Sequence, residues 1–307
     1  ARRFDEAAKA QADLVKLLPN DMDAWNMLGY FRAYAGDLNG AKQALEKYVQ
    51  LSAQNANALD SLGEVHFLFG GFKEAEKYFT QSFQKDPKFN RGEAMYKAAI
   101  ARFRSGDRAG ATELFIRHQE ELAMDSEWSK IRWEYLTGDP ALAERNAVAL
   151  AGKADGNVVA ASHAVLWALA RGDASAANAA NQLLIRAARK SPPRGDAVMT
   201  SLIARLMQGA KVEAPSPELR PVVDLATGIS LLLKKDGKAA EAIFTPLYEQ
   251  ASPQNDRIQR LALVWATDES GNQQLKKELL KMNTIPGSQP ENALESILFR
   301  KELEFRR

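Results

Sequence analysis

Apolar residues recur along this chain at helical spacing, in short blocks separated by polar turns that contain glycine. In residues 24–36, AWNMLGYFRAYAG, the side chains of Trp25, Leu28 and Phe31 fall on one helix face. In the next block, LNGAKQALEKYVQL, Leu38, Ala41, Leu45 and Tyr48 do the same. Gly36-Asp37 between them predicts a helix stop followed by an N-cap. Glycine takes the left-handed conformation without strain, and a carboxylate accepts from the free N–H groups of the next helix. The unit is a pair of antiparallel helices joined by a tight turn.

That unit repeats. Phe4, Leu38 and Phe72 are spaced by 34 residues, as are Ala7, Ala41 and Ala75. Leu28-Gly29 returns as Leu62-Gly63, and Pro19 and Pro87 stand two periods apart. An array with this period is a stack of helix pairs, each burying its apolar face against its neighbours. The turn signal continues at Gly106-Asp107, Gly138-Asp139, Gly172-Asp173, Asp236-Gly237 and Gly271-Asn272. Gly63 lies inside a helix, where glycine costs about 1 kcal/mol relative to alanine. It predicts a close helix–helix approach, with Ala75 as the small residue opposite.

Other stretches modify the pattern. The proline-rich segments KSPPRGD (190–196) and APSPELRP (214–221) are expected loops around a short hairpin. Pro246, within KAAEAIFTPLYEQ, predicts a kink or a late helix start. Residues 141–190 are alanine-rich, which favours close packing. The segment QPENALESILFRKELEF opens with Pro290 in its first turn. It carries Leu294, Ile297, Leu298 and Phe305 on one face, with Glu295, Lys301 and Glu304 elsewhere, the pattern of a capping helix.

Together, the Leu-Gly pair, the Gly-Asp turn, the alanine and aromatic positions and the closing proline resemble the tetratricopeptide repeat (TPR). The resemblance is strong over residues 1–123 and degenerate afterwards. It implies an all-α fold, a right-handed α–α superhelix of about eight helical hairpins with a C-terminal capping helix. Regular repeats are expected over 1–123, degenerate hairpins over 124–190, and divergent hairpins with proline-rich loops over 191–307. The chain opens on a second helix, FDEAAKAQADLVKLLP, so it starts mid-repeat or residues precede it.

Composition narrows the function by exclusion. A formal net charge of +2 argues against nucleic acid as the partner. The absence of cysteine removes disulfides, cysteine–zinc sites and thiol nucleophiles. No apolar run is long enough to span a bilayer, and ARRFDEAAKA lacks the apolar centre of a signal peptide. A cytoplasmic location is favoured over a periplasmic one, and a monomer over an oligomer. No phosphate loop, metalloprotease helix, nucleophile elbow or dinucleotide fingerprint occurs, so no enzyme and no cofactor are expected. His66, His118 and His163 fall in different repeats, which suggests no metal site. His66 is expected to pack in the core, while His163 is a candidate for the groove.

The resemblance also implies a binding site. In TPR proteins the first helices of successive hairpins line an inner groove that contacts peptides. By register these positions are Asn26, Tyr30 and Tyr34, then Asp60, Glu64 and Phe67, then Tyr96, Lys97, Phe103 and Arg104, then Trp128, Arg132 and Tyr135. Phe67, Phe103 and Tyr135 fit the groove and the packing between hairpins equally well. Tyr30, Tyr96, Lys97 and Arg132 are expected to stand exposed in the groove. Its first part is acidic and its middle basic, which favours an extended peptide bearing both signs. The acids at the comparable places argue against a clamp for a terminal carboxylate. The expected function is a noncatalytic scaffold for a protein or peptide segment, as part of a larger signalling protein. The alternative is a peptide-ligand sensor whose superhelix changes pitch on binding.

Overall fold

A computed structural model of the chain describes residues 3–121, 126–153, 157–190, 195–251, 256–287 and 293–306, without the side chain of Asp196. All regular secondary structure among the described residues is helical. The chain divides into two compact units, Ala1–Asp125 with Met282–Ser288, and Ser126–Lys281 with Gln289–Arg307.

Unit 1 holds α1 (Phe4–Leu17), α2 (Met22–Tyr34), α3 (Leu38–Leu51), α4 (Ala56–Leu68), α5 (Phe72–Lys85), α6 (Glu93–Arg104) and α7 (Arg108–Glu121). The 34-residue period is visible in the elements themselves: α1, α3 and α5 begin at Phe4, Leu38 and Phe72. Each helix packs on the next in sequence. Asp37 caps α3 by accepting from the Gly40 N–H, as its place in the turn predicts. Such a cap contributes about 1 kcal/mol. Before α6 the period slips. A 3₁₀ turn, Phe89–Gly92, puts Asn90, Arg91 and Gly92 in the left-handed region and starts α6 late.

Gly63 does sit at a close helix approach, but its partner is not Ala75. A Cβ added at Gly63 would lie 2.7 Å from Phe79 Cδ1 of α5. The glycine exists to admit a large ring from the second helix, while Ala75 is buried elsewhere in the same interface.

Unit 2 holds α8 (Glu127–Thr137), α9 (Pro140–Ala151), α10 (Val158–Arg171), α11 (Ala174–Ala188), α12 (Asp196–Met207), α13 (Arg220–Leu233), α14 (Gly237–Gln250), α15 (Arg257–Ser270), α16 (Gln273–Leu279) and α17 (Ala293–Phe305). The turn signals again cap the second helices: Asp139, Asp173, Asp236 and Asn272 accept from N–H groups at the starts of α9, α11, α14 and α16. Gly228 on α13 meets Phe244 on α14, a Cβ–ring distance of 2.5 Å, at the same sequence offset as Gly63 and Phe79. This hairpin of the degenerate half therefore keeps the packing of the regular half. The alanine-rich region packs closely, with Ala143, Ala147, Ala160, Ala161 and Ala164 fully buried.

Two expectations change here. Between the proline-rich loops stands a single helix, α12, packed on α10 and α13, rather than a hairpin. α14 starts at Gly237 and runs through Pro246, with the Thr245 hydroxyl donating to the Glu241 carbonyl one turn back. Pro290 and most of the loop 190–196 lie outside the described residues.

The helix expected as a cap covers more than the hairpin before it. α17 packs against α15, α12, α10 and α8. Its residues Ala293 to Phe299 are all at most 1% exposed, so this part of the helix has no solvent face. A helix buried all round belongs to a core rather than to an end. Glu295, read from the sequence as lying off the apolar face, is buried and paired to Arg257 at 2.5 Å.

Candidate binding surfaces

In unit 1 the first helices bring four of the expected groove residues into one network. The Tyr30 hydroxyl on α2 donates to Glu64 Oε2 on α4 at 2.6 Å. These two residues are one period apart, so they occupy the same place on adjacent first helices. Lys97 Nζ on α6 donates to Glu64 Oε1 at 2.5 Å and to Asp60 Oδ2 at 2.7 Å. The acidic part of the expected groove thus neutralises Lys97, which removes that lysine as a contact for a peptide acid.

The electrostatics follow from burial. Lys97 and Asp60 are 6% exposed, so charge on either is costly unless paired. Burial pushes the Asp60 carboxyl up to about 6, against the pull of Lys97 and with a further push from Glu64. One carboxylate oxygen, Oδ1, finds no hydrogen-bond partner among the described residues. Lys97 also loses solvation, but its two carboxylates outweigh the loss and raise it above the usual lysine value. Burial, and then Glu64, push the Tyr30 hydroxyl well above its ordinary value, so it remains a donor.

Tyr96, Lys97 and Arg132 were expected to be exposed and are not: they are 2%, 6% and 5% exposed. The late start of α6 leaves the Tyr96 ring beside His118 of α7, with centroids 6.3 Å apart. Lys97 is drawn in by its acids. Arg132 lies on α8, which α17 covers. Asn26, Tyr30, Tyr34, Glu64 and Arg104 are half-buried, and Trp128 is buried. The two residues left undecided in unit 1 part company: Phe67 is fully buried, and Phe103 is half-buried.

A different part of unit 1 holds a segment of chain without regular structure. Residues 282–287, without helix, lie against the C-terminal ends of α4 and α6. The Asn283 backbone N–H donates to the Leu68 carbonyl at 2.8 Å, and its side-chain Nδ2 donates to the same oxygen at 3.2 Å. Arg104 Nη2 donates to Asn283 Oδ1 at 2.7 Å. The Arg104 guanidinium lies 4.8 Å from the Phe72 ring centre and 6.0 Å from that of Phe67. Carbonyls of a helix's last turn lack partners within the helix and sit at the negative end of its dipole, so they favour N–H donors.

Unit 2 presents aromatic rings where unit 1 presents ions. Tyr135 stacks on Trp167 at 3.9 Å, Trp128 stacks on Trp167 at 5.9 Å, and His163 meets both tryptophans edge-on. His163 is fully buried in this group rather than facing a groove, and burial lowers it to about 3. α17 closes over the same helices: Trp167 Nε1 donates to Ser296 Oγ at 2.8 Å, and Arg300 Nη1 to the Leu136 carbonyl at 3.3 Å. His66, in unit 1, is half-buried and stacked on Tyr78.

No family model matches the chain. Over 92 residues, 30% of its length, the chain is 32% identical to cellulose synthase operon protein C of Komagataeibacter sucrofermentans. That stretch is 7% of the relative's length, so the chain spans a small fraction of it. The fold and this similarity fit a TPR-like repeat protein.

Sequence reasoning missed Asn283 and favoured a cap for α17. Arg104 was legible by register, but its partner lies 179 residues away, and no local pattern links them. The available signal was the proline-glycine pair 286–287 in a stretch without helical period.

Proposed function

We propose that this chain is a noncatalytic, TPR-like scaffold that holds a protein or peptide segment on the first-helix face of unit 1, as one arm of a larger assembly. The observation that carries the reading is the non-helical segment 282–287, held by Arg104 and the Leu68 carbonyl at the ends of α4 and α6. A surface that takes an unstructured stretch through backbone and amide contacts has the chemistry of peptide recognition. The fit to a TPR-like array supports it, as does the partial similarity to a protein many times the length of the matched stretch. Site-specific photocross-linking from residues 34 and 103 tests the reading in the native host. The expected result is a cross-linked protein or peptide from both positions and none from Ile116, an exposed residue on α7. The same yield from all three, or no cross-link from 34 and 103, overturns it.

A further inference from the structure

Asn283 makes three hydrogen bonds to unit 1, and together they discriminate among side chains. Its amide offers a donor to the Leu68 carbonyl and an acceptor to Arg104 at one fixed reach. Aspartate lacks the donor and would set a carboxylate oxygen against a carbonyl. Glutamine carries both groups one methylene further out, and serine has a single oxygen for both tasks. The backbone N–H of the same residue donates to the Leu68 carbonyl as well. Gly70, at φ +83°, stands at the rim of this notch, where a Cβ would be in ordinary contact with Asn283 Nδ2 at 3.7 Å. The Arg104 guanidinium lies over the Phe72 ring, 4.8 Å from its centre. Asn283 is 7% exposed and Thr284 2%, so the stretch is seated rather than draped.

We infer that the notch formed by the Leu68 carbonyl, Arg104 and the Phe67–Phe72 edge is a subsite for an asparagine in a non-helical peptide, which the chain's own residues 282–287 occupy in cis. The partner it fits is a protein segment that presents asparagine outside a helix and competes with Asn283 for the same three hydrogen bonds. This rests on the scaffold reading above and names its peptide class. The cis segment then sets the threshold for binding, because an incoming peptide must displace it. The apparent affinity is reduced by the fraction of molecules in which the notch is vacant.

The test uses the full chain and a fluorescent peptide with the sequence of residues 281–287, KMNTIPG, read by anisotropy. The Asn283→Ala chain is expected to bind this peptide at least tenfold more tightly than the wild type. Adding Arg104→Ala to that variant should remove the gain, and a peptide with alanine in place of asparagine should bind neither chain. Equal binding by wild type and Asn283→Ala, or an unchanged gain in the double variant, overturns the inference. Hydrogen exchange gives a measurement free of substitutions. Excess peptide should speed exchange at the Asn283 amide of the wild-type chain, and an unchanged rate overturns the inference. The two readings separate in the cross-linking experiment. A partner captured equally well with Arg104→Ala in place sinks the notch and leaves the scaffold. A chain that captures nothing while the peptide series holds sinks the scaffold and leaves the notch.

Discussion

The two units share one hairpin geometry and differ in what fills the face of their first helices. In unit 1, Gly63 admits Phe79, and in unit 2, Gly228 admits Phe244, so the contact within the hairpin is the same device twice. Across hairpins the chemistry diverges. Unit 1 links α2, α4 and α6 through Tyr30, Glu64, Asp60 and Lys97. Unit 2 stacks Trp128, Tyr135, His163 and Trp167 and closes α17 over them. The difference teaches that a repeat specifies how helices pair but leaves the inner face free. On the ionic face Lys97 and Asp60 are buried as a pair, while Tyr30 and Glu64 stay half-buried. The aromatic face takes a helix of its own chain.

The contrast is most severely tested by removing residues 293–307. Leu294, Ile297, Leu298 and Phe299 are each at most 1% exposed, and burying such side chains contributes about 1.5–3 kcal/mol apiece. Unit 2 should lose its cooperative transition and aggregate, with tryptophan emission shifting to the red as Trp167 meets water. A monomer of unchanged stability by light scattering and thermal melting would make α17 an appendage.

A smaller effect is expected in unit 1 from Lys97→Met, which strands the buried Asp60 carboxylate and the half-buried Glu64. Loss of one partner of such a pair costs about 3–5 kcal/mol. The cost should shrink at low pH, because the Asp60 carboxyl sits near 6 in the folded chain, above its ordinary value. The sign follows from which state holds the proton more tightly. The folded state does, so this contribution is complete below the ordinary carboxylate range and is lost as pH rises through about 6. Denaturant melts of wild type, Lys97→Met and Asp60→Asn between pH 4 and 8 check this. Asp60→Asn should flatten the slope, and an unaltered slope would move the titration elsewhere.

The smallest effects concern what the units share. Gly63→Ala and Gly228→Ala each push a methyl into a phenylalanine ring, at 2.7 and 2.5 Å. Overpacking of this kind costs about 1–3 kcal/mol, partly offset by the better helix propensity of alanine. Similar losses in two melts would confirm a common hairpin; a loss at only one would limit the device to that unit.

Much of this was legible in the residues. The 34-residue spacing located the starts of α1, α3 and α5, and the glycine-aspartate turns located the caps through the degenerate half. Tyr30 and Glu64 were legible as neighbours because one period separates them. Exposure was not. Tyr96 turned inward because the 3₁₀ turn Phe89–Gly92 inserts residues before α6, a local event that shifts the register at the start of that helix.

The sequence by itself determined the helices, their turns and their pairing, because those depend on spacings shorter than a repeat: apolar period, caps, and a glycine opposite a ring. Tertiary structure alone decided what reached the inner faces. Asn283 meets Arg104 across 179 residues, and Trp167 meets Ser296 across 129. The physical reason is that an inner face is completed by whatever segment returns to it, and the return is set by summed burial and hydrogen bonding over the whole unit. No window of sequence contains both halves of such a contact.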